Sequence, residues 1–300
     1  MSILYRPARA EDLQRAGELV TISINELCGR HGFPPMAAVR PPTFATFSLE
    51  DDADGLWVAE DAGEIVGFAF SWVCGNLWFL AQLFVSPDRQ GRGIGPALLE
   101  RTFAHAQKSN ARTKALVTFA FNTVSQGLYM RQGLFPRCPI YHLQIARAGF
   151  ARGKDEERLY CVPIDGTAAH LSAVAEIDAA ALGVSRPKHH RFLMAQGEAR
   201  GFLFHAGGGE RVGYAYVSDG HVGPLAVTQR PMLGAAFRTA LDLAAEGSAP
   251  SLSAFVPGPC DAALAVALAA GMRITNPLVL MASRDFGDWA QYLPRNPGFM

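Results

Sequence analysis

The sequence predicts an α/β (α+β) protein of two domains, and three observations support that prediction. The chain has 300 residues, which is more than one hydrophobic core usually holds. Its 49% hydrophobic and 18% charged residues are typical of a globular protein. Apolar runs of strand length alternate with stretches of helical periodicity, and part of this alternation recurs in the second half of the chain.

The first half of the chain shows a definite order of strands and helices. Leu13, Ala16 and Leu19 have helical spacing after a short strand that begins near Tyr5. Gly133 is the expected end of a later helix, because glycine readily adopts the left-handed conformation found there. The other predictions are a loop with short helical pieces over 29–50, a hairpin of strands 56–60 and 65–72, a strand over 77–85, a helix to about residue 108, a strand over 115–121, a helix over 124–132 and a strand over 140–145.

Three anchor positions indicate that the second half repeats the first. The matched pairs are Gly67 with Gly213, Val85 with Val227, and Gly133 with Gly271. Their offsets of 146, 142 and 138 decrease in order, as expected for two copies of one domain with small deletions. The alternative is two unrelated α/β domains. We expect a first domain over residues 1–147, a charged linker over 148–158 and a second domain over 159–300.

The overall charge and hydropathy of the chain favour some function classes over others. The 27 basic and 27 acidic residues cancel, so overall charge does not support a nucleic-acid or membrane partner. No apolar run reaches the length of a membrane span, and the N-terminus lacks the apolar segment of a signal peptide. We therefore expect a cytoplasmic protein. Five scattered cysteines without metal-site spacing predict free thiols.

The stretch QGRGIG at residues 90–95 lies between a predicted strand and a predicted helix. Glycines there let successive backbone N–H groups turn inward, and the new helix adds unpaired N–H groups and the positive end of its dipole. Pro96 suits the first helical turn. Together these features predict an anion site suited to a pyrophosphate. The alternative is a glycine-rich connection without a ligand.

The spacing of this loop excludes two common phosphate-binding motifs. A Walker loop needs a lysine that is absent here, and a Rossmann fingerprint fails at its sixth position. Residues 101–150 contain no Asp or Glu. That local excess of positive charge mildly favours a ligand with several phosphates. The basic residues in that stretch are Arg101, Lys108, Arg112, Lys114, Arg131, Arg137 and Arg147.

Two motifs resemble the signatures of the GCN5-related N-acetyltransferase (GNAT) superfamily. VSPDRQGRGIGPAL at residues 85–98 is similar to the family's acetyl-CoA loop, V-x-P-x-x-[RQ]-G-x-G-[IV]-G-x-x-L. NTVSQGLYMRQGL at residues 122–134 is similar to the second signature, N-x-x-A-x-x-L-Y-x-x-x-G-F, with Ser125 and Leu134 as mild departures. The resemblance covers about residues 3–147. It implies two GNAT-like domains, each a mixed, mostly antiparallel twisted sheet flanked by helices, with a splayed parallel strand pair at the acetyl-CoA site.

The resemblance implies an N-acetyltransferase that moves the acetyl group of acetyl-CoA to a primary amine by direct attack in a ternary complex. The acceptor would be a small molecule or a peptide. The backbone beside the splayed strand would hold the pantetheine arm, and the glycine loop would hold the pyrophosphate. The implied acetyl-CoA contacts are Leu83, Phe84, Val85, Gln90, Gly91, Arg92, Gly93, Ile94, Gly95, Pro96, Asn122, Ser125 and Tyr129.

Tyr129 is the implied general acid, which would protonate the departing thiolate. The alternative is a core aromatic, since Leu128 and Val124 are interpreted as packing residues. The general base stays open: the strand before the loop has no carboxylate, so the candidates are Glu26, His31, a water chain or an amine that arrives neutral. The adjacent His189 and His190 point in different directions, so we expect no metal.

The second copy lacks the chemistry of the first. Alignment through Gly271 places Cys260 and two alanines at the positions of Asn122, Ser125 and Tyr129, and the matching loop over 228–234 has one glycine. This copy resembles the degenerate second domain of tandem acetyltransferases. It would complete the acceptor pocket, bind a regulator or only stabilise the chain. A non-catalytic acyl-CoA sensor is the alternative to an enzyme, and the protein is expected to be a monomer or a homodimer.

Overall fold

The computed structural model describes residues 3–152, 158–197 and 199–300. These residues form two compact units, of which the first comprises residues 1–135 with Met281–Arg284 and the second comprises Pro136–Leu280 with Asp285–Met300. The predicted linker falls partly on residues 153–157, which lie outside the described residues. These units differ from the expected domains over residues 1–147 and 159–300. Those domain boundaries remain a prediction. Among the described residues, no helix is both long and apolar enough to cross a membrane.

Unit 1 is a mixed sheet flanked by helices. Its strands lie in the order β1-β2-β3-β4-β5, with antiparallel pairs except for the parallel pair of β4 and β5. The strands are β1 (Leu4–Pro7), β2 (Leu56–Asp61), β3 (Glu64–Cys74), β4 (Leu77–Val85) and β5 (Thr113–Phe119). The helices are α1 (Leu13–Arg30), α2 (Thr43–Asp51), α3 (Ile94–Lys108) and α4 (Thr123–Met130). The region expected to be loop with short helical pieces thus contains α2.

Sequence periodicity and turn chemistry explain the elements of unit 1. The apolar residues Leu13, Ala16 and Leu19 form the buried face of α1, as their spacing predicts. The hairpin between β2 and β3 turns at two residues with positive φ, Ala62 and Gly63, as expected of a tight hairpin turn. A side chain at Gly67 would meet the side chains of Ile94 and Leu98 in α3, so the glycine lets this helix pack closely on the sheet.

The strands of unit 2 form both parallel and antiparallel pairs and lie in the order β12-β6-β11-β10-β9-β8-β7, while β13 pairs with β10. The strands are β6 (Phe135–Ala146), β7 (Tyr160–Pro163), β8 (Arg200–His205), β9 (Arg211–Ser218), β10 (His221–Val227), β11 (Ser251–Pro257), β12 (Arg273–Ala282) and β13 (Tyr292–Leu293). The helices are α5 (Ala168–Leu182), α6 (Pro187–Ala195), α7 (Leu233–Ala244) and α8 (Asp261–Ala269).

The two units repeat each other in local backbone geometry at the anchors that the sequence indicated. Gly67 lies opposite Val85 across β3 and β4, and Gly213 lies opposite Val227 across β9 and β10. Asn122 and Cys260 begin α4 and α8 with the same φ of −83° and with ψ of 74° and 56°. The glycines that follow these helices have φ of 76° and 81°. These matches bear out two copies of one fold.

Neither unit is one continuous stretch of chain. Strand β6 follows α4 in the sequence, but from Pro136 onward it belongs to unit 2, where it pairs with β11. Residues Met281–Arg284 belong to unit 1 instead. There the backbone N–H of Ser283 donates to the carbonyl of Lys114 at 2.9 Å, and the Lys114 N–H donates to Ser283 Oγ at 3.0 Å. These bonds join residues 281–284 to the beginning of β5.

Candidate active site

The central feature of unit 1 is the parallel pair β4–β5, whose pairing covers only part of the two strands. The register runs from Leu77 opposite Thr113 to Leu80 opposite Leu116. At the same level, β3 and β4 show a register shift, which is the kind of irregularity that bends a strand. The last residues of β4 therefore extend beyond the pairing with β5, as the splayed pair implied by the sequence requires.

Hydrogen-bond alternation shows which backbone groups of β4 face this gap. The Ser86 N–H donates to the Val66 carbonyl at 2.9 Å, so the pair two residues earlier, Phe84 with Phe68, is also a hydrogen-bonded pair in the β3–β4 register. The N–H and C=O groups of Leu83 and Val85 consequently point away from β3. Of the three strand residues implied as ligand contacts, Phe84 has its backbone engaged by β3, whereas Leu83 and Val85 present theirs to the gap.

The glycine loop has the backbone conformation that an anion cradle needs. Gly91 and Gly93 have φ of 76° and 80°, and Gly93 is the N-cap of α3. An added Cβ at either glycine would meet no described atom within 4 Å, so the space in front of both is open. The Gln90 side chain donates to the Val85 carbonyl at 3.1 Å, which fixes the start of the loop to the end of β4.

The first turn of α3 supplies the rest of the cradle. Its N–H groups have no intrahelical acceptor, no acidic residue stands among them, and Pro96 is the third helical residue. Ile94 is buried and anchors the helix start in the core of unit 1, while Arg92 is exposed. An open loop of backbone N–H groups at a helix N-terminus suits a phosphate or pyrophosphate.

The run of basic residues after the loop contributes less positive charge than its sequence suggested. The carboxylates of Asp54, Asp285 and Asp219 form ion pairs with Lys108, Arg137 and Arg147. Arg101 lies over the ring of Tyr5, 4.2 Å from its centroid. Carboxylates from elsewhere in the sequence therefore neutralise three of the seven basic residues, and the loop backbone offers the more specific anion contacts.

Helix α4 brings the residues of the second motif together. Asn122 is its N-cap, and its side-chain oxygen accepts the Ser125 N–H at 3.2 Å. Tyr129 lies one turn further along and is buried. Burial raises the pKa of the Tyr129 hydroxyl, and a hydrogen bond with the Ser125 side chain opposes that shift. The tyrosine therefore stays protonated at neutral pH. Val124 is 82% exposed, so its interpretation as a packing residue is wrong.

Helix α1 reaches across the ends of both splayed strands. Ser23 Oγ donates to the Val85 carbonyl at 3.4 Å, and the ring of His31 lies 4.9 Å from that of Phe121, just after β5. Glu26 lies on α1 between these two contacts. The Arg30 guanidinium pairs with Glu26 Oε1 at 2.9 Å, while Glu26 Oε2 is shielded from solvent and has no hydrogen-bond partner among the described residues. Sequence spacing gave no signal of the Ser23 contact.

One hydrogen-bonded array in unit 1 was not predicted. His105 bonds to Ser71 Oγ through Nδ1 and to Asp52 Oδ2 through Nε2, each at 2.9 Å. The order resembles a Ser-His-Asp triad. Ser71 is only 1% exposed, and its hydroxyl also lies 3.4 Å from the Gly55 carbonyl. A substrate cannot reach that hydroxyl, so the array fixes α3 to β3 and to the segment before β2.

The structure offers no metal centre in the part of the chain that it describes, where no group of three or more His, Cys, Asp or Glu side chains could hold an ion. His190 bonds to Asp178 at 2.9 Å and to the Tyr216 hydroxyl at 3.1 Å. Burial lowers the pKa of the neighbouring His189 well below its ordinary value. The histidine pair is thus part of a buried polar cluster in unit 2.

Comparison with known proteins agrees with this geometry. Residues 24–134 match the family model described as "Acetyltransferase (GNAT) family". An uncharacterized N-acetyltransferase of Archaeoglobus fulgidus is 33% identical over 96 residues, which are 29% of this chain and 63% of that protein. An uncharacterized N-acetyltransferase of Methanocaldococcus jannaschii is 32% identical over 95 residues, which are 28% of this chain and 41% of that protein.

Residues 24–134 therefore match the GNAT family, and the likeness of the rest of the chain is one of fold. The matches cover less than two thirds of the length of either relative. Solved structures match almost the whole chain in fold. A provisionally assigned acetyltransferase of Pyrococcus horikoshii has a TM-score of 0.77 at 18% identity over 99% of this chain and 96% of that one. A tandem GNAT protein of the clavulanic acid biosynthesis pathway has a TM-score of 0.61 at 17% identity over 95% and 99%.

The second GNAT-like unit has its own splayed pair, and the chain fills it. Strand β10 pairs with β11 only at His221 and Val222, and β13 pairs with the following part of β10, at Leu225 and Ala226. The Val227 N–H donates to the Gln291 carbonyl at 3.0 Å. When the two units are aligned through Val85 and Val227, residues 225–227 of β10 correspond to residues 83–85 of unit 1.

The loop and helix of unit 2 also differ from those of unit 1. Residues 228–234 include no backbone with positive φ. Cys260, at the position of Asn122, donates from Sγ to the Trp289 carbonyl at 2.9 Å, so the segment just before β13 also contacts the start of α8. Ala263 and Ala267 occupy the positions of Ser125 and Tyr129 and are fully buried. Unit 2 therefore lacks the cradle and the tyrosine, and its gap is filled.

Proposed function

We propose that this protein is an N-acetyltransferase that transfers the acetyl group of acetyl-CoA to a primary amine, and that only unit 1 binds acetyl-CoA. The acceptor is a small molecule or the amino group of a peptide. Support comes from a part of β4 that does not pair with β5, an open glycine cradle at its end and a protonated tyrosine on α4, all in one unit. The family of the chain makes acyl transfer the natural chemistry of such a site.

A hydrogen bond in unit 2 supports the position that we propose for the pantetheine arm of acetyl-CoA. Val227 donates its N–H to a carbonyl of an extended segment that lies along β10. Val85 has the same place in the repeat, and its N–H points away from β3 where β4 no longer pairs with β5. A pantetheine arm is an extended chain with amide groups, so its carbonyls can accept the N–H groups that Leu83 and Val85 present. We therefore use the segment around β13 in unit 2 as a guide to how the bound pantetheine arm lies along β4 in unit 1.

The residues of unit 1 divide the chemical work. The backbone N–H groups from Gln90 to Gly95 would hold the pyrophosphate. Pro96, which follows them, has no N–H group to contribute. A backbone N–H of β4 would bind the acetyl carbonyl oxygen and stabilise the negative charge that grows there as the amine attacks. Tyr129 would then donate its proton to the departing thiolate. Asn122 would act indirectly, since its side chain holds the Ser125 backbone at the start of α4.

The second candidate is an acyl-CoA sensor without catalysis, which the absence of a carboxylate on β4 leaves open. The buried, protonated Tyr129 favours the enzyme, because a sensor needs no proton donor beside a thioester. Release of free CoA thiol, followed over a panel of primary amines and peptides, separates the two. Amine-dependent release is expected. Tight binding of acetyl-CoA with no release on any amine would support the sensor.

A binding experiment tests the assignment to one unit. Calorimetry of the full chain with acetyl-CoA should give one site per chain, because the gap in unit 2 is filled by residues of β13. Two equivalent sites would contradict the proposal.

A further inference from the structure

Glu26 on α1 is a carboxylate that the fold places over the gap where acetyl transfer would occur. We infer that Glu26 is the general base that takes the proton from the acceptor amine. This inference rests on the proposed function, and it fills the role for which β4 offers no carboxylate. The reaction needs such a group, because an alkylammonium ion has no lone pair and must lose a proton before it can attack a thioester.

Three contacts locate Glu26. One helical turn before it, Ser23 touches the carbonyl of Val85 at the end of β4. Just after α1 ends, His31 and Phe33 pack on Phe121, with ring centroids 4.9 and 4.6 Å apart. Residues three apart share a helix face, so Glu26 lies on the same side of α1 as Ser23. It therefore lies between the ends of the two splayed strands.

The two carboxylate oxygens of Glu26 have different surroundings. Oε1 accepts from Arg30 at 2.9 Å. Oε2 is shielded from solvent and has no hydrogen-bond partner among the described residues. A shielded carboxylate oxygen without a partner is costly unless a ligand or water supplies a donor. An amine above the thioester supplies that donor, so the free oxygen is explained by a bound acceptor.

Few other charged groups surround Glu26. Its own helix contributes Arg30, and the loop after α1 contributes His31. Strand β4, residues 65–74 of β3 and helix α4 carry no charge, and the only charge on β5 is Lys114 at the opposite end of that strand. Glu50 and Asp51 stand at the end of α2. His31 is the one other candidate base, but its side chain is exposed and packs against Phe121.

In the proposed step, Glu26 accepts one proton from the ammonium form of the acceptor. The neutral nitrogen then forms a bond to the acetyl carbon and loses its second proton to water, the carbon–sulfur bond breaks, and the thiolate takes a proton from Tyr129. The products are an acetamide and free CoA. The proton held by Glu26 and the proton lost by Tyr129 are exchanged with water afterwards, so the enzyme returns to its starting state.

The test is a pH profile of kcat/KM for Glu26→Gln in the full chain, with the best acceptor from benzylamine, phenethylamine and a peptide with a free N-terminus. Without the base, only amine that is already neutral reacts. We expect a fall of about 10²-fold at pH 7, and convergence with the wild type to within about threefold near pH 10, where a large fraction of an alkylamine is neutral in solution. Glu26→Asp should retain part of the activity at pH 7.

Glu18→Gln is the matched control, since Glu18 is exposed on the same helix and its variant should follow the wild-type profile. Acetyl-CoA affinity should be unchanged in both variants. A Glu26→Gln profile parallel to the wild type, or the convergent profile appearing in His31→Gln instead, would overturn the inference alone. A wild-type protein that binds acetyl-CoA but acetylates none of the amines would overturn the proposed function, and the inference with it.

Discussion

Replacing Gly93 with alanine should abolish tight acetyl-CoA binding while leaving the fold intact. Gly93 has φ of 80°, where an L-residue costs roughly 1–2 kcal/mol. Nothing among the described atoms lies within 4 Å of the added methyl group, so no clash adds to that cost. The methyl group would occupy the space in front of the loop. Loss of one or two hydrogen bonds to a charged phosphate, at about 1.5–3 kcal/mol each, weakens binding by roughly 10- to 10⁴-fold.

Gly63 provides the matched control for this prediction. It has φ of 85°, and an added Cβ there also meets nothing within 4 Å, but it lies in the β2–β3 turn. Gly63→Ala and Gly93→Ala should therefore lower the free energy of unfolding by similar amounts in a denaturant titration. Calorimetry should show weakened acetyl-CoA binding only in Gly93→Ala. If Gly93→Ala binds acetyl-CoA within threefold of the wild type, the glycine loop is not the pyrophosphate site.

Two further predictions concern a reaction rate and a pH dependence. Tyr129→Phe keeps the buried ring but removes the hydroxyl proton, so kcat should fall by about 10²-fold or more while acetyl-CoA affinity stays unchanged. Tyr160→Phe, at a 71% exposed position, is the control. A wild-type kcat in Tyr129→Phe would remove this residue from the mechanism. Burial lowers the pKa of His142 from 6.5 to about 4, so the unfolded chain takes up a proton first as the pH falls. Stability should therefore decrease between pH 6.5 and 4, and urea titrations should show a shallower decrease for His142→Gln; an unchanged slope would contradict that assignment.

Local patterns in the sequence predicted much of unit 1, because those elements depend on residues near in sequence. The alternation around Gly67 and the glycine spacing at residues 90–95 each fix a backbone conformation within a few residues. The same holds for the start of α4, where Asn122 caps its own helix. The fold, the repeat and the match of residues 24–134 to the GNAT family could be predicted for this reason.

Features that depend on distant residues could not be predicted from the sequence. β6 belongs to unit 2 because of its pairing with β11, about 110 residues later. β13 is only two residues long, too short for a periodic pattern. The shielding of Glu26 Oε2 depends on the packing of α1 on the sheet, and the ion pairs of Lys108 and Arg147 depend on carboxylates remote in sequence.

The return of residues 281–284 to unit 1 has a consequence for synthesis on the ribosome. The chain finishes Phe135 early, but unit 1 lacks its last segment until Arg284 has been made, 149 residues later. At about 5–20 residues per second this interval is roughly 7–30 s. During that time the beginning of β5, at Lys114, lacks the hydrogen bonds that Ser283 supplies. An uncovered strand edge invites pairing with other chains. Slow translation or a stalled ribosome should therefore expose this protein to aggregation through unit 1, which holds the cradle and Tyr129.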